Sequence, residues 1–466
     1  MGSWLTIGID FLIIILLILG FFQFRNPKGA RRGNFTAAFA LFCAFGLVIY
    51  RHGSIDPGIV LTALLLGGAV GWFVAVRINM IQIPAMVAFQ HGAGGIAAFL
   101  VSFLELTKAA GEPLTTLSEV SGVLGLIIGT ATFSGSMIAG GKLAGLINQK
   151  PVAFPFHSLL LAGTTLGILV VAVLAEQAGP QAHVFWLLSL FALSVLLGIL
   201  FSIRIGGADM PVLISFLNAT AGLAAAFCGI IIQNRLLVAC GATVAASGSI
   251  LTHVMCLAMN RGLIKVFMRS LSKQRTVPKE ILNAEDRPIL TDMGNGGERF
   301  EYALSAARIS EKIVIIPGYG MALAQAQFQV VRLAHRLEEL GKKVKFAIHP
   351  VAGRMPGHMN VLLAEAEVDY ENLVEMEAIN PEFPSTDLAL IVGACDVVNP
   401  AAVSQEGTPI SGMPILMAHE ARVVVVCNMD GKPGYSGVKN PLYDMARTIT
   451  LFGDAKETLA RLLEAL

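Results

Sequence analysis

Long apolar runs alternate with short polar segments over roughly the first 260 residues, and this pattern predicts membrane helices. Nine runs are close to the ~20 residues that a helix needs to span a bilayer. They cover residues 4–24, 34–50, 55–76, 83–104, 117–139, 156–175, 182–204, 210–232 and 236–259. We therefore expect a multi-span α-helical bundle surrounded by lipid.

Beyond residue 310 the pattern changes to short apolar runs separated by segments with helical periodicity. The strand-like runs lie at 313–316, 344–348, 388–392 and 423–427, and helix-like segments lie at 322–340 and 358–366. Strands that alternate with helices through short loops favour a parallel sheet covered by helices. This order predicts a cytoplasmic α/β Rossmann-like parallel-sheet domain.

These patterns predict a division into a membrane domain of about nine transmembrane helices at 1–260, a linker at 261–288 and a dinucleotide-binding domain at 289–466. The linker carries several charges, and the flexible stretch "DMGNGGE" precedes a short helix before residue 310.

Composition supports a membrane location. The chain is 55% hydrophobic and 14% charged, with a mean hydropathy of +0.70, whereas soluble proteins carry about 25% charged residues. The net charge of +1 gives no basic character suited to nucleic acid. The six cysteines form no CxxC pair, so neither a metal site nor a disulfide framework is predicted.

The distribution of Lys and Arg predicts the orientation. No basic residue precedes the first apolar run and "RNPKGARR" follows it, which indicates an uncleaved helix with its N-terminus outside. In that orientation thirteen Lys and Arg residues lie on the inner side and three lie in outer loops. The positive-inside rule therefore places the C-terminal domain in the cytoplasm.

A glycine turn joins the first predicted strand to a helix. In "PGYG", Gly318 would permit a tight turn, and Gly320 would let the backbone approach a pyrophosphate at the helix N-terminus. Leu323 occupies the third position of the GxGxxG fingerprint, so the match is incomplete. An ordinary strand–helix turn is the alternative.

The second predicted strand lacks the acidic residue that binds a ribose 2′-hydroxyl in many such domains. It ends at His349 and Pro350, and the loop that follows contains Arg354, which could meet a phosphate instead. A solvated loop charge is the alternative for Arg354.

Ionisable residues within the apolar runs are few, and they are candidates for function because lipid burial is expensive. His91 lies inside the fourth run and can exchange a proton near neutral pH. Asn218 lies deep in the eighth run and Asp209 precedes it, whereas a structural role is expected for His253. A redox-coupled proton pump and a transporter gated by a nucleotide sensor both fit this combination.

Long motifs carry a resemblance to a known family. They are "IGGADMPVLISFLNATAG", "PGYGMALAQAQ", "HPVAGRMPGHMNVLLAEA", "NPAA", "GMPIL", "GYSGVKNPL" and "LFGDAK". The chain resembles the beta subunit of the proton-translocating NAD(P) transhydrogenases over nearly its full length. The resemblance implies an NADP(H)-binding domain and a Re/Si-specific hydride transfer coupled to proton entry into the cytoplasm. It also implies an alpha subunit that binds NAD(H), a dimer of alpha-beta units, and an inner-membrane location.

The resemblance also implies roles for individual residues. In the membrane these are His91, Asn218, Asp209 and Ser247, with Gly248 beside it. In the nucleotide domain they are Gly318, Tyr319, Gly320, Met321, Arg354, Asp396, Gly434 and Tyr435. No metal ligand is expected.

Two positions depart from the family pattern. The usual "GAND" is "GACD" here, with Cys395, and we expect a modest effect. The Lys-Arg-Ser triplet that holds the 2′-phosphate of NADP is replaced by Asn428, Met429 and Asp430, with Lys432 and Lys439 nearby. Lys432 could restore the phosphate site. Alternatively the domain prefers NAD(H), the protein is a nucleotide-sensing transporter, or it is a paralogue that only assembles.

Overall fold

The computed structural model describes residues 3–23, 29–51, 56–108, 115–148, 151–152, 154–177, 180–206, 209–259, 262–263, 296–355, 357–406 and 408–466. Most of the predicted linker at 261–288 lies outside the described residues. The predicted domain boundaries therefore stay predictions.

The N-terminal part is helical, as predicted. Among the described residues, eight helices are long and apolar enough to cross a membrane, and an apolar helix α1 (Ser3–Gln23) precedes them. The eight are α2 (Ala30–Arg51), α3 (Pro57–Arg77), α4 (Ile83–Lys108), α5 (Thr116–Leu143), α6 (His157–Gln177), α7 (Pro180–Ile203), α8 (Met210–Ile231) and α9 (Arg235–Ala258). Large apolar side chains such as Trp72 and Phe22 lie exposed on these helices, as expected for surfaces that face lipid.

The chain divides into two compact units. The first comprises Met1–Ile138, Leu159–Leu200 and Phe216–Ser249, and the second comprises Ala139–Ser158, Phe201–Ser215 and Ile250–Leu466. The second unit thus contains the ends of α5, α7, α8 and α9 together with the whole C-terminal sheet.

Small residues bring helices of the first unit into backbone contact. A Cβ atom on Gly95 of α4 would lie 2.6 Å from the Gly129 carbonyl oxygen of α5, and a Cβ on Gly129 would lie 2.7 Å from that of Gly95. In the same way Gly222 of α8 packs on Gly241 of α9. Close approach at small residues is how helices associate in lipid, where water gives no driving force.

The C-terminal part contains the predicted parallel sheet, with six strands in the order β3-β2-β1-β4-β5-β6. The strands are β1 (Lys312–Pro317), β2 (Lys343–Ile348), β3 (Leu373–Glu375), β4 (Leu388–Val392), β5 (Val423–Asn428) and β6 (Thr448–Phe452). The pattern predicted β1, β2, β4 and β5, whose runs are apolar and buried. It missed the two edge strands, β3 with three residues and β6 with alternating burial.

Helices cover this sheet and lead into it. They are α10 (Gly296–Ile309), α11 (Tyr319–Leu323), α12 (Gln327–Glu339), α13 (His358–Glu365), α14 (Met376–Ile379), α15 (Ala401–Ser404) and α16 (Ala455–Ala465). The core between them includes the fully buried side chains of Phe383, Ile316 and Ile391.

The single helix predicted at 322–340 is wrong, because the structure breaks it after Leu323. Gln325 adopts a left-handed conformation with φ 50°. The Ala326 amide then bonds to the Met321 carbonyl, 3.0 Å, and the Gln325 amide bonds to the Ala322 carbonyl, 3.0 Å. This pair of bonds is a Schellman motif, which ends α11 before α12 begins.

Gly393 joins the carboxyl ends of β1 and β4. Its φ is 69°, and a Cβ there would lie 2.6 Å from the Cα of Gly320. Its amide donates to the Cys427 carbonyl, 3.0 Å, and its carbonyl accepts from the Gly320 amide, 2.8 Å. The β1 and β4 loops can therefore pack backbone to backbone only because no side chain intervenes.

We expect Gly393→Ala to destabilise the second unit more than Gly341→Ala does. Both positions have positive φ, but nothing lies within 4 Å of a Cβ on Gly341. Gly341→Ala therefore introduces only backbone strain of about 1–2 kcal/mol, whereas Gly393→Ala adds a steric clash of about 1–3 kcal/mol. Thermal unfolding of both full-length variants measures the difference, and equal midpoints would contradict the prediction.

Candidate functional site

The carboxyl ends of β1, β4 and β5 form the candidate nucleotide site. The strand order reverses direction between β1 and β4, and ligands of open parallel sheets bind at such a switch point. Gly318 follows β1, Gly393 follows β4, and Asn428 ends β5. The residues that the sequence motifs single out therefore meet at one edge of the sheet.

The predicted glycine turn contacts the neighbouring loop. The Gly318 amide donates to the Val392 carbonyl, 2.8 Å, and a Cβ on either Gly318 or Gly320 would fall on the backbone at Gly393. The described contacts explain both glycines through loop-to-loop packing. Their predicted approach to a pyrophosphate stays a prediction.

Arg354 lies at the centre of an aromatic cluster. Its guanidinium carbon is 4.3 Å from the ring centroid of Tyr319 and 5.6 Å from that of Tyr435, and its Nη2 donates to the Tyr435 hydroxyl, 2.7 Å. Its Nη1 donates to the carbonyl of Leu143 at the end of α5, 2.7 Å. Arg354 is only 8% exposed, so it is a buried cation rather than a solvated loop charge.

The burial of this cluster changes the protonation of its neighbours. Burial raises the pKa of Tyr319 to about 12, although the positive charge of Arg354 opposes this shift, so the phenol stays neutral. Burial, reinforced by Arg354, lowers the pKa of His358 to about 4. His358 accepts a hydrogen bond from the Arg354 amide at Nδ1, 3.2 Å. At neutral pH, Tyr319 and His358 are therefore both neutral beside the positively charged guanidinium of Arg354.

Asp396 joins the end of β4 to the loop that contains Tyr435. Its carboxylate accepts hydrogen bonds from the Ser436 hydroxyl, 2.6 Å, and the Ser436 amide, 3.0 Å. Burial raises the pKa of Asp396, while the bonds from Ser436 oppose that shift. A Cβ on Gly434 would lie 2.8 Å from the Asp396 carboxylate. The loop thus packs directly on this carboxylate.

The positions that replace the phosphate-binding triplet have different environments. Asn428 is 8% exposed and donates to the Ala394 carbonyl, 2.9 Å, and to the Tyr443 hydroxyl, 2.8 Å, whereas Met429 is 68% exposed. Asp430 pairs with Lys432 at 3.0 Å, and hydrogen bonds from Lys432 lower its pKa.

Lys439, the second lysine of this loop, pairs with Asp444 at 2.7 Å. Both lysines that sequence analysis considered for the 2′-phosphate are therefore paired with carboxylates.

Two buried side-chain atoms at this edge lack hydrogen-bond partners within the described part of the chain. They are Oδ1 of Asn428 and Nε2 of His358. Unsatisfied buried polar atoms are costly, and a bound ligand with donors and acceptors would satisfy them. The residues present therefore fit a polar ligand such as a dinucleotide. Sequence analysis missed His358, although a histidine that opens a helix beside "VAGR" was a signal for it.

The predicted proton residues lie on α4 and α8 of the first unit. His91 and Asn218 are both half-buried. Glycine contacts show that α4 runs antiparallel to α5, and the Thr132–Thr220 hydrogen bond of 2.9 Å joins α5 to α8. Polar side chains thus line the region where these three helices meet.

The depth of these residues follows from another contact. The Cys228 thiol of α8 donates to the Ala98 carbonyl of α4, 3.1 Å. His91 precedes Ala98 by about 10 Å along its helix, and Asn218 precedes Cys228 by about 15 Å, at ~1.5 Å per residue. Both helices run antiparallel to α5, so His91 and Asn218 lie at nearly the same depth.

Ser247 and Asp209 are the other two residues predicted for the proton path. Ser247 is exposed on α9 and donates to the Val244 carbonyl, 3.1 Å. Its neighbour Gly248 packs against α8. A Cβ on Gly248 would lie 2.8 Å from the amide nitrogen of Ala219, the residue after Asn218. Asp209 is half-buried in the second unit, directly before α8.

Sequence analysis missed two buried charges. Lys142 near the end of α5 is fully buried, and its Nζ donates to the carbonyls of Ile203, 2.5 Å, and Ile205, 2.8 Å. Asp10 of α1 pairs with Arg51 of α2 at 2.7 Å. Lys142 lies three residues beyond the predicted span 117–139 and so looked like an ordinary loop charge, whereas Asp10 lies inside the predicted span 4–24.

Comparison with known proteins supports the family resemblance. Residues 8–465 match the family model described as "NAD(P) transhydrogenase beta subunit". The chain is 40% identical over 460 residues to the NAD(P) transhydrogenase subunit beta of Rhodospirillum rubrum, covering 97% of each chain. The same subunit from a designated strain of that species matches equally.

We expect the loop that begins at His349 to lose stability as the pH falls from about 6.5 to about 4. His349 Nδ1 accepts from the Val351 amide, 3.2 Å, so Nε2 carries the proton and donates to the Pro414 carbonyl, 2.8 Å. Burial lowers the pKa of His349 to about 4. Neutral His349 therefore contributes its full stability above pH 6.5, which is the pKa of its side chain in the unfolded chain. This contribution decreases by about 1.4 kcal/mol for each pH unit below that value.

Hydrogen exchange of amides 349–358 in the full-length chain at pH 7 and pH 5, corrected for intrinsic rates, measures this loss. His349→Gln should remove much of the pH step, while His335→Gln, on an exposed position of α12, should keep it. An unchanged protection at pH 5 in the unaltered chain would contradict the assignment.

Proposed function

The chain belongs to the NAD(P) transhydrogenase beta subunit family, and on that premise we propose that it works with an alpha subunit to transfer a hydride between NADH and NADP⁺. Transfer is coupled to proton translocation into the cytoplasm and is Re/Si-specific. The observation that carries this proposal is the hydrogen bond from Arg354 to Leu143, since it joins the candidate nucleotide site to a membrane helix.

The C-terminal domain binds NADP(H) at the carboxyl edge of the sheet, and the partner subunit binds NAD(H). The cofactor supplies the hydride or accepts it, while this chain positions the reacting ring. The binding residues are Gly318, Tyr319, Gly320, Met321, Arg354, Asp396, Asn428, Met429, Asp430, Lys432, Gly434 and Tyr435.

Buried Oδ1 of Asn428 and Nε2 of His358 support a polar ligand here. Direct transfer requires a close approach of the two nicotinamide rings but no acid or base.

His91 takes and releases the transported proton, and Asn218 at similar depth holds a water or the imidazole. Ser247 and Asp209 complete the path toward the cytoplasmic side. The half-buried position of His91 between packed helices supports this role, since a proton carrier must be shielded from lipid yet reachable by water.

The energetics favour coupling. One proton that moves down about 180 mV releases about 4 kcal/mol, which shifts an equilibrium by nearly three decades at about 1.4 kcal/mol per decade. Lys142 and Arg354 supply the physical link in this proposal. Lys142 bonds the end of α5 to the segment that leads to α8, and Arg354 bonds the same end of α5 to Tyr435.

The chain is a multi-pass protein of the inner membrane, its N-terminus lies outside, and its C-terminal domain lies in the cytoplasm. Two alpha-beta units form a dimer. The charge asymmetry of the loops supports the orientation.

A second version of the function is favoured by one observation. The Asp430 carboxylate lies directly after β5 and pairs with Lys432, so the pair has no net charge to attract a phosphate. A carboxylate suits a ribose 2′-hydroxyl and repels a dianion. In this version the C-terminal domain prefers NAD(H), and proton movement is coupled to transfer between two like cofactors.

Binding of NADP⁺ and NAD⁺ to the full-length chain in detergent, at one salt concentration, separates the two versions. We expect NADP⁺ to bind at least about tenfold more tightly. Asp430→Asn should increase NADP⁺ affinity further because it releases Lys432. Asp444→Asn, which breaks the similar pair with Lys439, is the matched control. Preference of the unaltered chain for NAD⁺ would establish the second version.

Replacing His91 with alanine should lower proton translocation at least tenfold, because an alanine side chain can neither bind nor release a proton. NADP⁺ binding should persist, since His91 and the nucleotide residues belong to different units. A pH-sensitive dye in proteoliposomes that contain both subunits reports proton movement. His183→Ala on α7, whose ring lies 3.0 Å from the Ala175 carbonyl, is the control. Intact pumping in His91→Ala would refute the proton role.

A further inference from the structure

A cavity of about 460 Å³ lies between α10, β6 and α16. Six of the residues that line it carry charge, hydroxyl groups or aromatic rings. They are Arg299, Phe300, Thr450, Phe452, Thr458 and Arg461. Its volume is within the range of small-molecule sites, and none of these residues belongs to the site described above.

The two helices beside this cavity begin at the same edge of the sheet as the candidate nucleotide site. Helix α10 leads into the beginning of β1, so its N-terminus lies about 21 Å away, at the carboxyl edge. Arg308 at the C-terminal end of α10 bonds to the Ala465 carbonyl, 2.6 Å, which places α16 alongside. Because α16 follows the carboxyl end of β6, both helices begin at the ligand-binding edge.

Two arginines in this cavity have no acidic partner. Arg299 Nη1 donates to the Thr450 hydroxyl, 3.1 Å, and the Arg461 guanidinium carbon lies 4.5 Å from the ring centroid of Phe300. Among the described residues, no carboxylate lies within ion-pair distance of either. This differs from Lys432 and Lys439, which both pair with aspartates.

The cavity borders the loop after β5. Phe452 lines it, and a Cβ on Gly431 would lie 3.1 Å from the Phe452 ring. The ring centroid of Tyr443, which bonds to Asn428, lies 6.2 Å from that of Phe452. The two arginines are therefore one strand away from the positions where sequence analysis expected the cofactor's 2′-phosphate.

We propose that Arg299 and Arg461 bind the 2′-phosphate of the dinucleotide, with the Thr450 hydroxyl as a further donor. The Thr458 hydroxyl already donates to the Asp454 carbonyl, 2.9 Å. This inference rests on the proposed function and names the cations that recognise the phosphate. Guanidinium groups bind phosphate through paired, charge-assisted hydrogen bonds. Phe452 lines the cavity and has an exposed ring, on which a purine can stack.

Binding of NADP⁺, NAD⁺, adenosine 2′,5′-bisphosphate and 5′-AMP to the full-length chain tests this proposal. For both Arg299→Gln and Arg461→Gln we expect a loss of at least about tenfold in affinity for NADP⁺ and the bisphosphate. Affinity for NAD⁺ and 5′-AMP should change less than twofold. Arg299→Lys should keep part of the affinity. Arg308→Gln, at the other end of α10, is the matched control.

Other outcomes would overturn the proposal in distinguishable ways. If the unaltered chain binds NADP⁺ and both variants bind it equally well, the arginines have no part in phosphate recognition, while the proposed function stands. If the variants lose all four ligands together with thermal stability, the arginines are structural. If inorganic phosphate competes as well as the bisphosphate, the cavity binds free phosphate instead. If the unaltered chain binds no dinucleotide, the proposed function fails too.

Discussion

A buried guanidinium must have its donors satisfied, and the way Arg354 meets this requirement organises the second unit. It bonds to a helix-end carbonyl at Leu143, lies over the ring of Tyr319, and bonds to the hydroxyl of Tyr435. Removal of any one partner would leave a buried charge partly unpaired, which is expensive. The membrane helix, the first glycine loop and the loop after β5 are therefore held together by one side chain.

A similar requirement operates at Lys142. An ammonium group that is completely buried needs several acceptors, and the free carbonyls at the end of α7 supply them. Positive charge at a helix C-terminus also interacts favourably with the helix dipole. The apolar contact of Val351 with Val212, Met255 and Met259 lies in the same unit and adds hydrophobic burial to these polar links.

Much of the architecture could be predicted from sequence because its signals are local. Runs of about 20 apolar residues define the spans, and the fully buried strands β1, β4 and β5 read as continuous apolar segments. Edge strands were missed since β6 is only half-buried and β3 is very short. The break after Leu323 was missed because the left-handed residue that ends the helix is Gln325, whereas the usual sequence signal for such an end is a glycine.

The sequence motifs predicted which residues belong to the candidate site, but not which groups their side chains contact. Motifs selected Tyr319, Arg354 and Tyr435, and the structure brings these three together. Which groups pair, however, depends on residues distant in sequence. Arg354 finds its acceptor 211 residues away at Leu143, and Lys142 finds its own more than 60 residues away. No local pattern encodes such partners.

The composition of the second unit has a consequence for how this protein can be divided. A fragment that began at residue 289 would keep every strand but lose Leu143, Val212 and Met255. Arg354 would then be a cation without its carbonyl acceptor, and Val351 would be an apolar side chain without its cover. Such a fragment would therefore expose a buried cation and an apolar side chain beside the candidate nucleotide site, at positions that the full chain covers.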